Sequence, residues 1–150
     1  MTTLKKKIEF HNCVDILIFN NQGELYLQMR SRNDKSFPSH WDFSAGGHIK
    51  TGESNETAAK REVLEELGVS APITLISKEH FQYPAWKPSV LRDVNASIYK
   101  MIHNGPFKIE QKEVAKIDFF SLDVIQKMID TKAKFHPEFL LAWKKGIIKL

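Results

Sequence analysis

The chain has 150 residues, 42% hydrophobic and 27% charged, with a formal net charge of +4. That length suits one domain with a sizeable core, and that composition excludes a disordered chain. No apolar run approaches the ~18 residues of a membrane span, the basic start "MTTLKKKIEF" lacks a secretory h-region, and the single cysteine, Cys13, excludes an intramolecular disulfide.

These features predict a reducing, cytoplasmic location. The basic residues gather near the chain ends, at Lys5 to Lys7 and at Lys144, Lys145 and Lys149. A solvated surface is the simplest account of them, attraction of a phosphorylated small molecule the second, and RNA the third. No RNP motif or recognition-helix pattern is present, so nucleic acid is not the expected partner.

In chain order, "VDILIF" (14–19) reads as a buried strand and "ELYLQMR" (24–30) as an alternating one, with "NNQG" as the hairpin turn between them. "SRNDKSFPSH" (31–40) is a polar loop, and "WDFSAGGHI" (41–49) a short strand breaking into a Gly46-Gly47 turn. A helix follows from Ser54 to Leu67, with Gly68 at its expected stop. Strands are predicted over 73–83, 94–102 and 114–120, with "PAWKP" and "HNGP" as connections. Ser121 is an N-cap candidate for a helix over 121–129, and Pro137 suits the first residue of another over 136–147, with Phe139, Leu140 and Trp143 facing the core. Strands before, between and after helices predict an α+β domain, with helices on a largely antiparallel or mixed sheet.

Glu62, Glu65 and Glu66 crowd one helix, although like charges three and four residues apart repel by about 0.2–0.5 kcal/mol per pair. At about 100° per residue, with Glu62 at zero, Glu65 lies near −60° and Glu66 near +40°. Ala59, Val63, Leu67 and Leu64 form the core side, so the acid stripe is expected to border the buried face. A cation would relieve that crowding, and hard oxygen ligands suit Mg²⁺ or Mn²⁺. The bare backbone at Gly46-Gly47 allows close approach to a metal or phosphate. Glu53 suits the helix macrodipole as well as a ligand role.

The spacing runs Gly47, Glu53, Arg61-Glu62-Val63, Glu65-Glu66, Gly68-Val69. It resembles the Nudix box, here residues 47–69, at every defining position. The resemblance implies a single domain over 1–150 with the Nudix fold, a mixed sheet flanked by helices. It also implies Mg²⁺- or Mn²⁺-dependent hydrolysis of a diphosphate linked to another moiety, often a nucleoside.

The flanks "LYLQMRSRNDKSFPSHWDFSAGGHIKTGES" and "HNGPFKIEQKEV" are similar to bacterial Nudix proteins related to isopentenyl diphosphate isomerase. His11 and His48 match metal-binding histidines of the isomerases. The cysteine that those enzymes need for proton transfer is replaced by Gly46, which has no titratable group. The later acidic pair is poorly matched: Asp93 covers one position and Leu91 stands at the other. His11 and His48 therefore have three readings: a local hydrogen bond, contact with substrate or phosphate, or an isomerase-type metal site. Cys13, in an apolar strand, reads as a small buried hydrophobe.

Metal ligands implied by the resemblance are Glu65, Glu66 and the Gly47 carbonyl, with Glu62 shared between metal binding and water activation. Arg61 is expected to orient a box glutamate by ion pairing, with contact to phosphate the lesser alternative. Glu113, with Glu110 as second choice, is the carboxylate expected from outside the box; a solvated loop acid is the alternative for either. Trp41, Phe43, Phe81, Tyr83 and Trp86 are candidates to line a substrate pocket, Trp86 foremost, with core packing the competing fate. His48 is a further substrate-contact candidate.

Three functions follow: a Nudix hydrolase acting on a small diphosphate, an isopentenyl diphosphate isomerase, or a non-catalytic nucleotide sensor. A homodimer is left open.

Overall fold

A computed structural model describes residues 6–150. Residues 1–5, including Lys5 of the basic start, lie outside the described residues. Among the described residues, no helix is long and apolar enough to cross a membrane.

The scaffold grows from β1 (Lys7–Phe19), longer than the apolar run alone suggests. The extra length comes from parallel pairing with β6 (Val90–Ile102), in register from Lys7↔Val90 to Phe19↔Ile102. Strand β5 (Thr74–Pro84) adds to β6 antiparallel. On the other side of β1 lie β2 (Leu25–Arg30) and β3 (Trp41–Asp42), while β4 (Ala45–His48) pairs with β1 and β7 (Val114–Phe120) with β2. Among the described residues, the seven strands form one mixed sheet, in a single α+β domain with three helices.

Alternation along β1 divides the core. Val14, Ile16 and Ile18 face α1 (Asn55–Leu67), whereas Cys13, Leu17 and Phe19 face the side of α3 (Pro137–Lys144) and of α2 (Leu122–Asp130). Each fully buried side chain of this kind contributes about 1.5–3 kcal/mol through loss of water contact. β2 departs from the expected alternation: Leu25 to Gln28 are all buried, because both faces of this strand are covered. In α3, Phe139 is buried but Leu140 turns outward.

Helix α1 is held as its ends predict. The Ser54 hydroxyl accepts from Thr57 N–H, and Gly68 adopts φ 68°, left-handed backbone that favours glycine. The loop before β7 then closes over the helix end. Lys108 N–H donates to Leu67 O at 2.8 Å, and Glu110 N–H to Glu66 O at 2.9 Å. This clamp brings Glu113 beside α1.

Gly46 and Gly47 do not form a turn. They lie inside β4, opposite Asp15 and Val14 of β1. Ladder bonds to β1 therefore set their positions.

Candidate active site

The cavity between α1, β1 and the start of α3 has a volume of about 420 Å³. Of the box residues, Gly47, Glu62 and Glu66 line it, and Glu113 joins them from the clamping loop. Glu110 does not; its carboxylate accepts from Lys112 N–H.

The acid stripe lies deeper than its wheel position suggests. The buried arc of α1 contains Ala58, Ala59, Glu62, Val63, Glu66 and Leu67, so Glu66 stands near its centre. Leu64, expected in the core, is 56% exposed. Counting only apolar residues rotates the expected buried face by roughly 80° at 100° per residue, because the two buried glutamates are left out of it. Glu65 stays outside, with its side chain half exposed.

Burial pushes the Glu66 carboxyl well above its ordinary pKa, against one hydrogen bond from Gly46 N–H at 2.9 Å. Glu62 and Glu113 push it further by repulsion. Glu62 is raised too, first by burial, with Arg61 opposing. Its carboxylate abuts the bare backbone of Gly47.

Arg61 organises the rim. Its Nε and one terminal nitrogen hold the two Glu53 oxygens at 2.7 and 2.9 Å; the other donates to Glu62 at 2.7 Å and Glu65 at 3.1 Å. It also donates to His48 O at 3.0 Å. Hydrogen bonds from Arg61 lower the Glu53 pKa to about 2. Ion pairing is thus the geometry Arg61 adopts, and Glu53 serves to hold it.

Among the described residues, no three His, Cys, Asp or Glu side chains stand as a ready metal-holding cluster. Glu62 and Glu65 are turned onto Arg61. The donor set nevertheless fits a hard divalent cation: the cavity has seven carboxyl side chains against three cationic ones, Arg30, Lys50 and Arg92.

His48 lines the rim, and its Nε2 lies 2.8 Å from His11 Nδ1. This is a local hydrogen bond between the two rings. Burial first lowers both pKa values. Asp93 is held instead by His80 and Gln82 at 2.7 Å each, away from the cavity. Burial pushes the Cys13 thiol up to about 12, as expected of a buried hydrophobe.

Neither Trp41 nor Trp86 lines the cavity. Trp41 packs edge-on against Phe120 and beneath Lys116, and Trp86 packs on Phe37 and His40. Phe81 is core. Phe43 and Tyr83 do line the cavity.

Asp15, Arg30, Asp42, Arg92, His136 and Glu138 also line it, without having been singled out from sequence. Arg30 is fixed by Asp42 at 2.9 Å and Asp34 at 3.1 Å. Asp15 had a sequence signal: it is the lone acid in an apolar strand. His136 and Glu138 had none. They reach the cavity because Phe135 bridges to Trp41, with Trp41 N–H donating to Lys134 O and His136 N–H to Trp41 O.

The NUDIX domain family matches residues 9–142 of this chain. An uncharacterized Nudix hydrolase of Listeria innocua is 30% identical over 134 residues, covering 89% of this chain and 76% of that protein. The isopentenyl-diphosphate Delta-isomerase of Serratia proteamaculans is 31% identical over 140 residues, covering 93% and 75%. A crystal structure from Deinococcus radiodurans matches the fold with a TM-score of 0.77 at 19% identity, covering 90% of this chain and 82% of that one. With Glu62 and Glu66 of the box on one cavity and the family match spanning residues 9–142, the chain belongs to the Nudix family, as a pyrophosphate hydrolase.

Proposed function

We propose that residues 1–150 act as a single cytoplasmic Nudix domain that hydrolyses the diphosphate linkage of a nucleoside diphosphate-linked or related small molecule, using Mg²⁺ or Mn²⁺. The observation that carries this reading is the convergence of Glu62, Glu66 and Glu113 on one strongly acidic cavity. Seven carboxyls would repel a diphosphate by themselves, so a diphosphate substrate requires a divalent cation with it.

Glu65, Glu66 and the Gly47 carbonyl would hold the ion, with Glu62 and Glu113 completing the set. A bound divalent ion lowers the pKa of its water and offsets phosphate charge. Glu62, raised by burial, receives the proton of the attacking water. Arg61 keeps Glu62 and Glu65 in register through its anchor on Glu53. Lys50 and Arg30 present positive charge at the cavity wall, where phosphates would lie.

The test is a panel of diphosphates, comprising nucleoside diphosphate sugars, dinucleotides, oxidised nucleotides and prenyl diphosphates. Each is incubated with Mg²⁺, with Mn²⁺ or with EDTA, and products are identified by mass. Metal-dependent cleavage between phosphorus atoms is expected for at least one class. Binding without cleavage across the panel would leave the protein a sensor and end the hydrolytic reading.

A further inference from the structure

The N-terminal half of β1 has an open edge. Lys7 to Asn12 pair with β6 on one side, whereas on the other side β4 joins β1 only from Cys13 onward. The last bond on that side runs from Ile49 N–H to Asn12 O at 3.0 Å, after which the chain turns at Thr51 and Gly52. Ile18 N–H points the same way, to the Ser44 hydroxyl. Backbone groups of an extended strand alternate between its two edges, so the even-numbered residues of β1 address this one. Ile8 and Phe10 therefore turn their N–H and C=O groups to an edge that no strand covers among the described residues.

Their side chains are apolar and exposed, Phe10 by 76% and Ile8 by 47%. They share a face with Val14, Ile16 and Ile18, which pack with α1, but lie outside that cluster. Charge around them is ordered: Lys6 and Lys7 precede Ile8, and Glu9 follows it. Lysines on an open edge ordinarily discourage pairing. Here the run Lys7-Ile8-Glu9 is self-complementary, since reversing it about Ile8 sets each lysine opposite a glutamate. The free edge of β5 differs, being interrupted by an irregularity between Leu75 and Ser77, a device that opposes pairing.

We propose that the Lys6–Phe10 edge of β1 pairs antiparallel with the same edge of a second copy of this chain, about a two-fold axis at Ile8. A two-fold axis normal to the sheet keeps each side chain on its own face, so only residues of equal parity can oppose each other. With Ile8 at the centre, Ile8 opposes Ile8 and Phe10 opposes Lys6 in hydrogen-bonded pairs, all through backbone groups that point to the open edge. Lys7 and Glu9 of opposite copies form the intervening pairs, in which side chains approach most closely. The two Ile8 side chains meet, and each Phe10 ring lies beside Lys6 of the other copy, ring against cation. Centring on Lys7 or Glu9 would oppose like charges, and centring on Phe10 would need Asn12, whose carbonyl is already bonded to Ile49. This surface is independent of the diphosphate reading. Five residues a side fall short of the ~1,200 Å² of a standard stable interface, so the dimer depends on concentration.

The test is sedimentation velocity from about 1 μM to about 1 mM on the wild type, Lys7→Glu, Glu9→Lys and the double variant. Thermal melts establish that each variant folds. Amide exchange supplies a second readout on the wild type.

The wild type is expected to pass from monomer to dimer within this range. Either single reversal opposes like charges twice and should raise the dissociation constant about tenfold or more. The double reversal restores opposite charges and should return it to within about threefold of wild type. Ile8 and Phe10 amides should gain protection as concentration rises, while those of Lys7, Glu9 and His11, which point to β6, should not change. If a charge variant fails to fold, Phe10→Ser, which alters an exposed side chain, takes its place and is expected to weaken the dimer. A wild type that stays monomeric throughout overturns the proposal. A dimer that the single reversals leave intact, or that leaves the Ile8 and Phe10 amides unprotected, belongs to another surface and also overturns it. So does a folded double variant that stays monomeric, since Lys7 and Glu9 would then not face each other.

Discussion

Gly47 and Glu62 are in contact, so that a Cβ on residue 47 would stand 2.5 Å from Glu62 Oε1 and 2.6 Å from its Cδ. The glycine is thus needed by the carboxylate, not by a turn. In Gly47→Ala the long Glu62 side chain has to swing away, while strand β4 accepts alanine without strain. Stability should fall by less than about 1 kcal/mol, whereas kcat should drop about tenfold or more as Glu62 leaves its position. Melts and steady-state kinetics on the same preparation check both. A variant with wild-type kcat would remove Glu62 from the reaction.

Gly46 meets backbone instead of a flexible chain end. A Cβ there would stand 2.8 Å from Val14 O and 3.0 Å from Asp15 Oδ1. Restoring the isomerase-type residue by Gly46→Cys should therefore cost about 1–3 kcal/mol, the ordinary penalty for overpacking. Neither the wild type nor the variant should convert isopentenyl diphosphate to dimethylallyl diphosphate. Product analysis after incubation with Mg²⁺ decides it, and enzyme-like turnover by the wild type would sink the claim.

The Arg61–Glu53 pair gives a pH signature. Glu53 falls from an ordinary 4.5 to about 2 in the folded protein, through hydrogen bonds from Arg61 and from the Lys50 backbone. A depressed carboxyl pKa contributes stability that is present above the unfolded value and is lost as pH falls through the folded one. The contribution should therefore fade between about pH 4.5 and 2. In Arg61→Gln that acid limb should flatten. Urea midpoints across this window test it; an unchanged limb would assign the acid sensitivity to other carboxyls.

Helix α1 was legible because its ends carry local signals, Ser54 as cap and Gly68 as stop. The strands followed from periodicity and the β1–β2 hairpin from its turn residues, whereas the parallel β1–β6 pairing, between segments far apart in the chain, did not. The depth of the glutamates was not legible, since a helical wheel treats carboxylates as solvent-seeking and places the core on the alanine–valine–leucine side. The aromatic candidates show a different limit. Residue type does not say which face a side chain takes, and Trp41 turns to Phe120 while Tyr83 enters the cavity. Glu138 reaches Tyr83 across a separation of 55 residues, a contact no local pattern encodes.

The carboxylate from outside the box should be Glu113. It lines the cavity and repels both Glu62 and Glu66, whereas Glu110 serves through its backbone, by donating to Glu66 O. Glu113→Gln should lower metal-dependent turnover about tenfold or more and raise the metal concentration required. Glu110→Gln leaves that backbone bond intact and should stay within about twofold of wild type. Metal titrations of activity compare the two; a larger defect in Glu110→Gln would reassign the role.

Glu66 bears the clearest cost of the crowded glutamates. Its charged form is disfavoured by burial and by Glu62 and Glu113, with Gly46 N–H as its one opposing hydrogen bond. A carboxyl whose folded pKa is raised costs stability as pH rises above its unfolded value, and the cost is absent at lower pH. Glutamine keeps the shape, a similar helix propensity and an oxygen for the Gly46 N–H. Near neutral pH and in EDTA, Glu66→Gln should therefore match or exceed the wild type, by on the order of 1 kcal/mol. At acid pH the difference should vanish. With millimolar Mg²⁺ the order should reverse, because the wild type gains binding free energy that the variant largely lacks. Activity should fall by about a hundredfold or more, as expected when a charge-stabilising contact is removed. Thermal melts of both proteins, in EDTA and in Mg²⁺ at two pH values, read all of this. A loss above about 1 kcal/mol in EDTA would mean that Glu66 holds the fold together, and the stripe would then be structural at its centre.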